Sequence, residues 1–229
     1  MEFILQHSFP EFDFEYLIFE SQRYMKWYDG TDITIIYDNP TSKSCPIGSV
    51  EYVVNFYKQH YGVSIKPKNI PKTFLTEPLF LNRQVSFIAD FDVNQSEICH
   101  VKNNETIKGE LDLDNPIGIE VQVSEYISDI ESEWRAFVFN NKMVGLHNYS
   151  GDFTLMPNVK VIEDMIESYK NEAPISYTLD VMVHNSKTSL VEIHDFFSCG
   201  LYGFSDTRIY PIMLYRWFHN FTKNLTFHQ

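Results

Sequence analysis

Residues 177–195 read YTLDVMVHNSKTSLVEIHD, and this stretch is the most informative part of the sequence. It contains two runs rich in β-branched residues, which predict strands over 176–184 and 189–194. Between them, Asn185-Ser186 is suited to a tight hairpin turn. The stretch therefore predicts a β-hairpin near the C-terminus.

Three polar side chains are expected on one face of this hairpin. Glu192 and His194 are two residues apart, so they share a face of their strand, and pairing of the strands adds Asp180 to that face. Clustered acids repel each other and lose hydration, so they need a counter-charge. Mg²⁺ is one, because it prefers carboxylate oxygens. The alternative is a solvated sheet face with unrelated acids, and composition does not decide between the two.

The preceding strand, predicted over 133–139, carries Arg135 among apolar neighbours. A guanidinium binds two oxygens of a phosphate or carboxylate at once. An Arg–Glu pair within the sheet is the competing interpretation, and it is favoured when this segment is considered alone. Asn140-Asn141 predicts a hairpin turn into the next strand, 143–148.

Two lysines, Lys102 and Lys108, flank a turn-prone Asn-Asn pair further upstream. Lysine can donate to phosphate oxygens, although the spacing alone favours two surface lysines. Neither GxxxxGK[ST] nor GxGxxG occurs, which excludes Walker-type and Rossmann phosphate loops.

Strands interleaved with helices predict an α+β fold. We expect a small N-terminal lobe over 1–85 and a second domain over 86–229. Ser49 is expected to cap a helix that Gly62 ends. Further strands are predicted over 1–5, 32–37 (as a buried strand), 84–89, 98–102 and 119–127, and helices over 50–61, 159–169 and 208–221.

Composition restricts the partners. The chain has 229 residues and a formal net charge of −13 without a basic patch, which argues against a nucleic-acid partner. Cys45, Cys99 and Cys199 form no CxxC pair, so no zinc site is indicated and a reducing compartment fits best. The sequence shows no signal peptide and no apolar run of about 20 residues. We therefore expect a cytoplasmic protein with no membrane partner; the oligomeric state stays open.

Taken in order, these motifs resemble the ATP-grasp superfamily. Within it the chain is similar to a clade of phage and bacterial genomes that is named for one arginine and two lysines. Each motif is weak alone, but several in the same order are fairly specific. The similar segments are His100–Lys102 with Lys108-Gly109, Ser124–Ile127, Ser132–Val138, Tyr177–Val181 with Val191–Gly203, and, in the front lobe, Pro46–Tyr52 and Ile70-Pro71.

The resemblance implies an ATP-grasp fold with a small N-terminal α/β lobe and a C-terminal antiparallel-sheet lobe that binds the nucleotide. It implies an ATP-dependent ligase that joins a small-molecule or peptide carboxylate to an amine through an acyl phosphate, with Mg²⁺ as cofactor. The implied ligands of ATP are Lys102, Lys108, Glu125, Tyr126, Ile127 and Arg135, with Arg135 and Lys108 catalytic, and those of the metal are Asp180, Glu192 and His194.

Two positions depart from the family pattern. His194 stands where the family usually has Asn, and Asn103 replaces a proline after Lys102. Imidazole suits Mg²⁺ less well than an amide oxygen does. Fewer ligands, Mn²⁺ in place of Mg²⁺, or help from Asp195 would each accommodate the change.

The arginine of the clade name is either Arg83 or Arg135, and Arg83 or Lys72 is a candidate ligand for a substrate carboxylate. Two rival interpretations also stay open. One is a catalytically weakened relative that binds nucleotide or protein, for example as a phage-encoded inhibitor. The other is a structural α+β protein whose acids are merely solvated.

Overall fold

The structure is a computed structural model and describes residues 1–7, 12–89, 99–103 and 120–229. Across these residues, every helix falls short of the length or the apolar content that a membrane span requires. The described strands are β1 Glu2–Leu5, β2 Thr34–Ile36, β3 Ser44–Ile47, β4 Val85–Ala89, β5 Cys99–Asn103, β6 Glu120–Glu125, β7 Ser132–Phe139, β8 Lys142–Gly151, β9 Ser176–His184 and β10 Lys187–Asp195. The described helices are α1 Phe12–Tyr28, α2 Val50–Tyr61, α3 Pro78–Leu81, α4 Val159–Tyr169 and α5 Ile209–Thr222, with a 3₁₀ helix at Lys72–Thr76.

The chain divides into two compact units. Unit 1 comprises Met1–Ile65, Pro174–Ser176 and Asp195–Gln229, and unit 2 comprises Lys66–Ala173 and Tyr177–His194. Compactness does not by itself define a folding domain, so the division at residues 85 and 86 stays a prediction. The C-terminal helix α5 groups with the N-terminal strands, which sequence order alone did not suggest.

Unit 1 is built on a parallel three-stranded sheet in the order β2-β1-β3. Helix α2 follows this sheet with the predicted bounds and caps. The Ser49 hydroxyl accepts a hydrogen bond from the Tyr52 amide at 3.1 Å, and Gly62 ends the helix in the left-handed region at φ +66°. Both caps confirm that local chemistry at the two ends fixed this helix.

Three features of unit 1 differ from the prediction. Helix α1 was not predicted, because exposed aromatic residues such as Trp27, which is 82% exposed, obscure its helical pattern. Strand β3 was also missed, since it contains Pro46; the strand lies at a sheet edge, where proline is tolerated. The strand predicted as buried over 32–37 is the short edge strand β2, and its side chains are half-buried or exposed. The β-branched pattern of β2 indicated a strand but not its place in the sheet.

Unit 2 holds two further sheets, a three-stranded one in the order β4-β6-β5 and a four-stranded one in the order β10-β9-β7-β8. In the first, β6 pairs antiparallel with both neighbours. The predicted hairpin turns are present: Asn140 and Asn141 have φ of 49° and 58°, and Asn185 and Ser186 have φ of 50° and 60°. Positive φ at both central residues is what a type I′ turn requires.

The four-stranded sheet uses its two faces differently. One face packs on α4 and forms the core of unit 2. Because side chains alternate along a strand, the residues between these core positions lie on the opposite face. That face carries Arg135 on β7 and Asp180 on β9. The core face is formed by Trp134, Ala136, Val138, Tyr177, Leu179 and Val181, against Ile162, Met165, Ile166 and Tyr169 of α4.

Candidate functional site

A cluster of three polar side chains lies on the hairpin β9–β10. One ligand-type atom each from Asp180, Glu192 and His194 lies within 4.8 Å of the others. The sequence predicted this juxtaposition from strand alternation and the Asn185-Ser186 turn. Atoms around a single ion with bonds of about 2.1 Å are at most about 4.2 Å apart, so little movement is needed to enclose one.

Asp180 forms a buried ion pair with Arg135 of the adjacent strand β7. Arg135 Nε donates to Asp180 Oδ1 at 2.8 Å, and Nη2 donates to Oδ2 at 2.7 Å. Arg135 is 6% exposed and Asp180 is 2% exposed. The alternative considered from sequence was an Arg–Glu pair within the sheet, and the structure shows an Arg–Asp pair instead. A carboxylate has about four lone-pair positions, so this pairing leaves Asp180 acceptor capacity for a cation.

Glu192 joins the two sheets of unit 2. Its Oε2 accepts a hydrogen bond from Lys102 Nζ of β5, and both side chains are 19% exposed. Its Oε1 lies 2.5 Å from His194 Nε2. Burial opposes ionisation of Glu192, but the hydrogen bonds and positive charges of His194 and Lys102 outweigh it and hold its pKa below the usual range. Glu192 is therefore a carboxylate at neutral pH.

Tyr149 is a residue of this site that the sequence analysis missed. Its hydroxyl donates to Glu133 Oε1 at 3.3 Å, and its ring centroid lies 5.9 Å from Arg135 Cζ. Burial and the nearby charge of Asp180 raise the pKa of Tyr149 well above its usual value, so the hydroxyl keeps its proton.

A β-bulge explains why Tyr149 was missed. Glu133 pairs with Ser150 and Trp134 pairs with Asn148, so Tyr149 is the extra residue between them. A bulge of this kind re-aims a side chain relative to simple alternation. The predicted strand 143–148 also ended one residue too early to include Tyr149. Recognising that the strand runs to Gly151 would have been the available signal.

The predicted adenine hinge lies between the two sheets of unit 2 along the chain. Glu125 is the last residue of β6, and Tyr126 and Ile127 follow it on the way to β7. The Glu125 amide donates to Gln84 O at 3.0 Å, and its carboxylate accepts from the Gln84 amide at 3.3 Å. Tyr126 is exposed. The predicted phosphate ligand Lys108 lies outside the described residues.

The other candidates from the sequence have different surroundings. Arg83 Nη1 donates to the carbonyl of Leu190 at 2.6 Å, and burial lowers the pKa of Arg83 to about 10. Lys72 forms an exposed ion pair with Glu120 at 2.9 Å.

Asp195, considered above as an extra metal ligand, accepts a hydrogen bond from Trp217 Nε1 at 3.1 Å within unit 1. It does not belong to the cluster of Asp180, Glu192 and His194. The side chain of Asp195 points to the core of unit 1 because β10 alternates its faces, so neighbouring positions in sequence are not neighbours in space.

The donor set of the cluster fits a divalent cation. Two carboxylates supply negative charge, and the imidazole adds a neutral donor when it is deprotonated. Lysine and arginine beside them suit anionic oxygen atoms. The described site therefore combines groups for a cation with groups for a phosphate or carboxylate.

Comparison with solved structures identifies the fold. D-alanine–D-alanine ligase from Bacillus anthracis, solved with ATP, is 12% identical, with 97% of this chain and 98% of that chain covered at a TM-score of 0.56. N5-carboxyaminoimidazole synthetase from Staphylococcus aureus, solved with ADP, is 9% identical over 93% and 76%, at 0.55. A RimK domain ATP-grasp protein from Sphaerobacter thermophilus is 10% identical over 98% and 100%, at 0.51. At these identities the likeness establishes the ATP-grasp fold alone, and it confirms the predicted fold class.

The family follows from the sequence. Residues 80–212, more than half of the chain, match the ATP-grasp domain of family 2 of the clade named for one arginine and two lysines, and the chain belongs to this family. The match includes β4 to β10 and every residue of the cluster around Glu192. No curated protein sequence matches the chain.

Proposed function

We propose that this protein is an ATP-dependent ligase that joins a carboxylate to an amine through an acyl phosphate. The observation that carries the proposal is the convergence of two cations and two acids from four strands of two sheets. These are Lys102 of β5, Arg135 of β7, Asp180 of β9 and Glu192 of β10. Membership of the ATP-grasp family and the ligases among the solved structures of this fold support the same reaction class.

The pairing within the cluster suits the binding of a metal–nucleotide complex. Each cation is paired with an acid, so the four charges balance without a ligand. A divalent cation held by Asp180 and Glu192 would compete for the acids and release Lys102 and Arg135 for phosphate oxygens. The site thus offers matched partners for both charges of the ligand, in a buried setting where they are worth more than in water.

The proposed ligands follow the geometry. Lys102 and Arg135 bind the phosphates, together with Lys108. The segment from Glu125 to Ile127, which joins the two sheets, binds the adenine. Asp180, Glu192 and His194 hold the divalent cation, whose charge would neutralise the phosphate oxygens during transfer.

The reaction proceeds in two balanced steps. A carboxylate oxygen of the acid substrate attacks the γ-phosphorus of ATP, the bond to the bridging oxygen breaks, and ADP leaves. The amine then attacks the acyl carbon, the bond to the phosphate oxygen breaks, and inorganic phosphate leaves while the amine proton passes to solvent. Arg135 stabilises the negative charge of the transferred phosphoryl group and of the tetrahedral oxyanion. No protein nucleophile takes part.

Tyr149 assists by position. Its ring lies beside the guanidinium of Arg135, and its protonated hydroxyl is held by Glu133. These contacts restrict the orientation of Arg135, which must keep its geometry when it exchanges Asp180 for a phosphate.

Calorimetry tests nucleotide binding. ATP is titrated into wild type with Mg²⁺ or Mn²⁺, and into the Asp180→Ala/Glu192→Ala variant. The matched control is Asp164→Ala/Glu167→Ala, which removes two exposed acids of α4 in the same unit. We expect metal-dependent binding that the control retains and the cluster variant loses. Absence of ATP binding to wild type with either metal would reject the proposal.

Isotope transfer tests the chemistry. Candidate acids labelled with ¹⁸O in the carboxylate are incubated with amines, ATP and metal, and the released phosphate is analysed by mass spectrometry. An acyl phosphate transfers one labelled oxygen to the phosphate. ATP binding without ADP release from any acid–amine pair would favour the rival interpretation of a nucleotide-binding factor without ligase activity.

A further inference from the structure

The cluster on β9–β10 contains a nitrogen donor as well as two carboxylates. His194 Nε2 faces Glu192 Oε1 at 2.5 Å, and one donor atom from each of Asp180, Glu192 and His194 lies within 4.8 Å of the other two. Mg²⁺ prefers an all-oxygen shell, whereas imidazole is a good ligand for first-row transition metals. The composition of the cluster therefore bears on which ion it takes.

We propose that this site selects a first-row transition-metal ion, with Mn²⁺ foremost, over Mg²⁺, and that His194 Nε2 is the selecting ligand. The inference rests on the proposed function for the role of the ion in ATP chemistry. Mn²⁺ is singled out because it also accepts carboxylate and phosphate oxygens, which the softer ions favour less.

The backbone holds His194 in the orientation of a ligand. The preceding residue, Ile193, is fully buried, and its amide donates to the carbonyl of Asn69 at 2.7 Å. With Ile193 fixed on the core side, alternation presents Glu192 and His194 together on the site side. The His194 side chain keeps 35% exposure, so a cation can reach its nitrogen.

Selection follows from the number of ligands that each ion can use. Mn²⁺ inserted between His194 Nε2 and Glu192 Oε1 takes the place of the proton they share, and binds Asp180 as a third ligand. Mg²⁺ retains its water in preference to imidazole, so it is left with the two carboxylates. One fewer protein ligand weakens Mg²⁺ relative to Mn²⁺.

A different explanation assigns His194 a purely electrostatic role, as the counter-ion of Glu192. In that case a protonated imidazole repels any cation, and removing it should strengthen metal binding. The two explanations therefore predict opposite effects of the same substitution.

The experiment measures Mn²⁺ binding to the full chain by the electron paramagnetic resonance signal of the free ion, with Mg²⁺ as competitor. The variants are His194→Asn, which offers an amide oxygen, and His194→Ala. The control is His184→Asn, which changes a histidine of β9 whose ring contacts the Asp129 carbonyl. Pulsed resonance of bound Mn²⁺ detects ¹⁴N coupling from a directly bound imidazole, and circular dichroism checks that each variant is folded.

We expect wild type and His184→Asn to bind Mn²⁺ with ¹⁴N coupling and to resist displacement by Mg²⁺. His194→Asn should lose the coupling and bind Mn²⁺ about 10- to 100-fold more weakly, the range known for removing even an outer partner of a metal ligand. Mn²⁺ binding that is unchanged or stronger in both variants, or a wild-type signal without ¹⁴N coupling, would overturn the inference.

Parallel titrations with ATP separate this inference from the proposed function. Nucleotide binding with Mg²⁺ as tight as with Mn²⁺, and no ¹⁴N coupling, rejects the metal selection and leaves the ATP site intact. Mn²⁺ bound through nitrogen without any nucleotide binding supports the selection and rejects the ligase. Failure to bind either ion rejects both.

Discussion

The ion pair of Arg135 and Asp180 gives the sharpest quantitative prediction. Replacing Arg135 by Met keeps much of the length of the side chain but leaves the Asp180 carboxylate, which is 2% exposed, without its bidentate partner. Unit charges about 4 Å apart interact by about 4 kcal/mol at an effective dielectric constant of about 20. Breaking a buried pair in this way costs about 3–5 kcal/mol. We expect Arg135→Met to lower the free energy of unfolding of unit 2 by that amount.

The assay is urea denaturation followed by circular dichroism. Hydrogen–deuterium exchange of peptides from β7 and β9 assigns the loss of stability to unit 2. The double variant Arg135→Met/Asp180→Leu completes a double-mutant cycle. Because it removes both charges, it should be more stable than Arg135→Met alone.

Two results would refute this reasoning. A loss below about 1 kcal/mol in Arg135→Met would mean that the pair is worth no more than an exposed salt bridge. A double variant whose loss equals the sum of the two single variants would mean that the two residues are not coupled. Either result would also weaken the argument that ligand binding exchanges these pairs.

Three further predictions concern positions outside the cluster. Gly151→Ala should lower the free energy of unfolding by about 2–4 kcal/mol, because Gly151 has φ +73° and an added Cβ would lie 2.3 Å from the Glu131 carbonyl oxygen. Urea denaturation measures it. Ser49→Ala should cost about 1 kcal/mol by removing the cap of α2, measured in the same way. Burial opposes ionisation of Asp206, but hydrogen bonds from Arg208 and the charge of that residue hold the pKa of Asp206 below its usual value. The stability advantage of wild type over Asp206→Asn should therefore be complete above about pH 4 and shrink as the pH falls below it, in denaturation series across pH.

Matched controls are available for each. Gly30 has a similar φ of +75° but nothing within 4 Å of an added Cβ, so Gly30→Ala isolates the backbone strain. A loss as large as that of Gly151→Ala would contradict the proposed clash. Ser49→Thr keeps a hydroxyl cap, and it should stay close to wild type. A pH-independent gap for Asp206→Asn would show that its carboxylate is not linked to folding.

Local chemistry made several elements predictable. Helices α2 and α4 have the predicted bounds, because caps and apolar spacing act over a few residues. The hairpins β7–β8 and β9–β10 followed from Asn140-Asn141 and Asn185-Ser186, which tolerate positive φ.

Features set by distant neighbours were less accessible. Strand β2 lies at an edge although its sequence suggests burial, and α1 exposes Trp27 although the residue is apolar. The place of a strand in a sheet depends on which other strands pair with it, and this information is not contained in the strand itself.

The sequence by itself determined that Glu192 and His194 share a face, because alternation along a strand is a local property of the backbone. It also determined, through the order of its motifs, the family to which the chain belongs. Only the tertiary structure decided that Lys102 pairs with Glu192 across two sheets and that Arg135 pairs with Asp180. It also decided that a bulge brings Tyr149 to the same site. These contacts join residues up to 90 positions apart, so they depend on how the sheets pack, which no local pattern encodes.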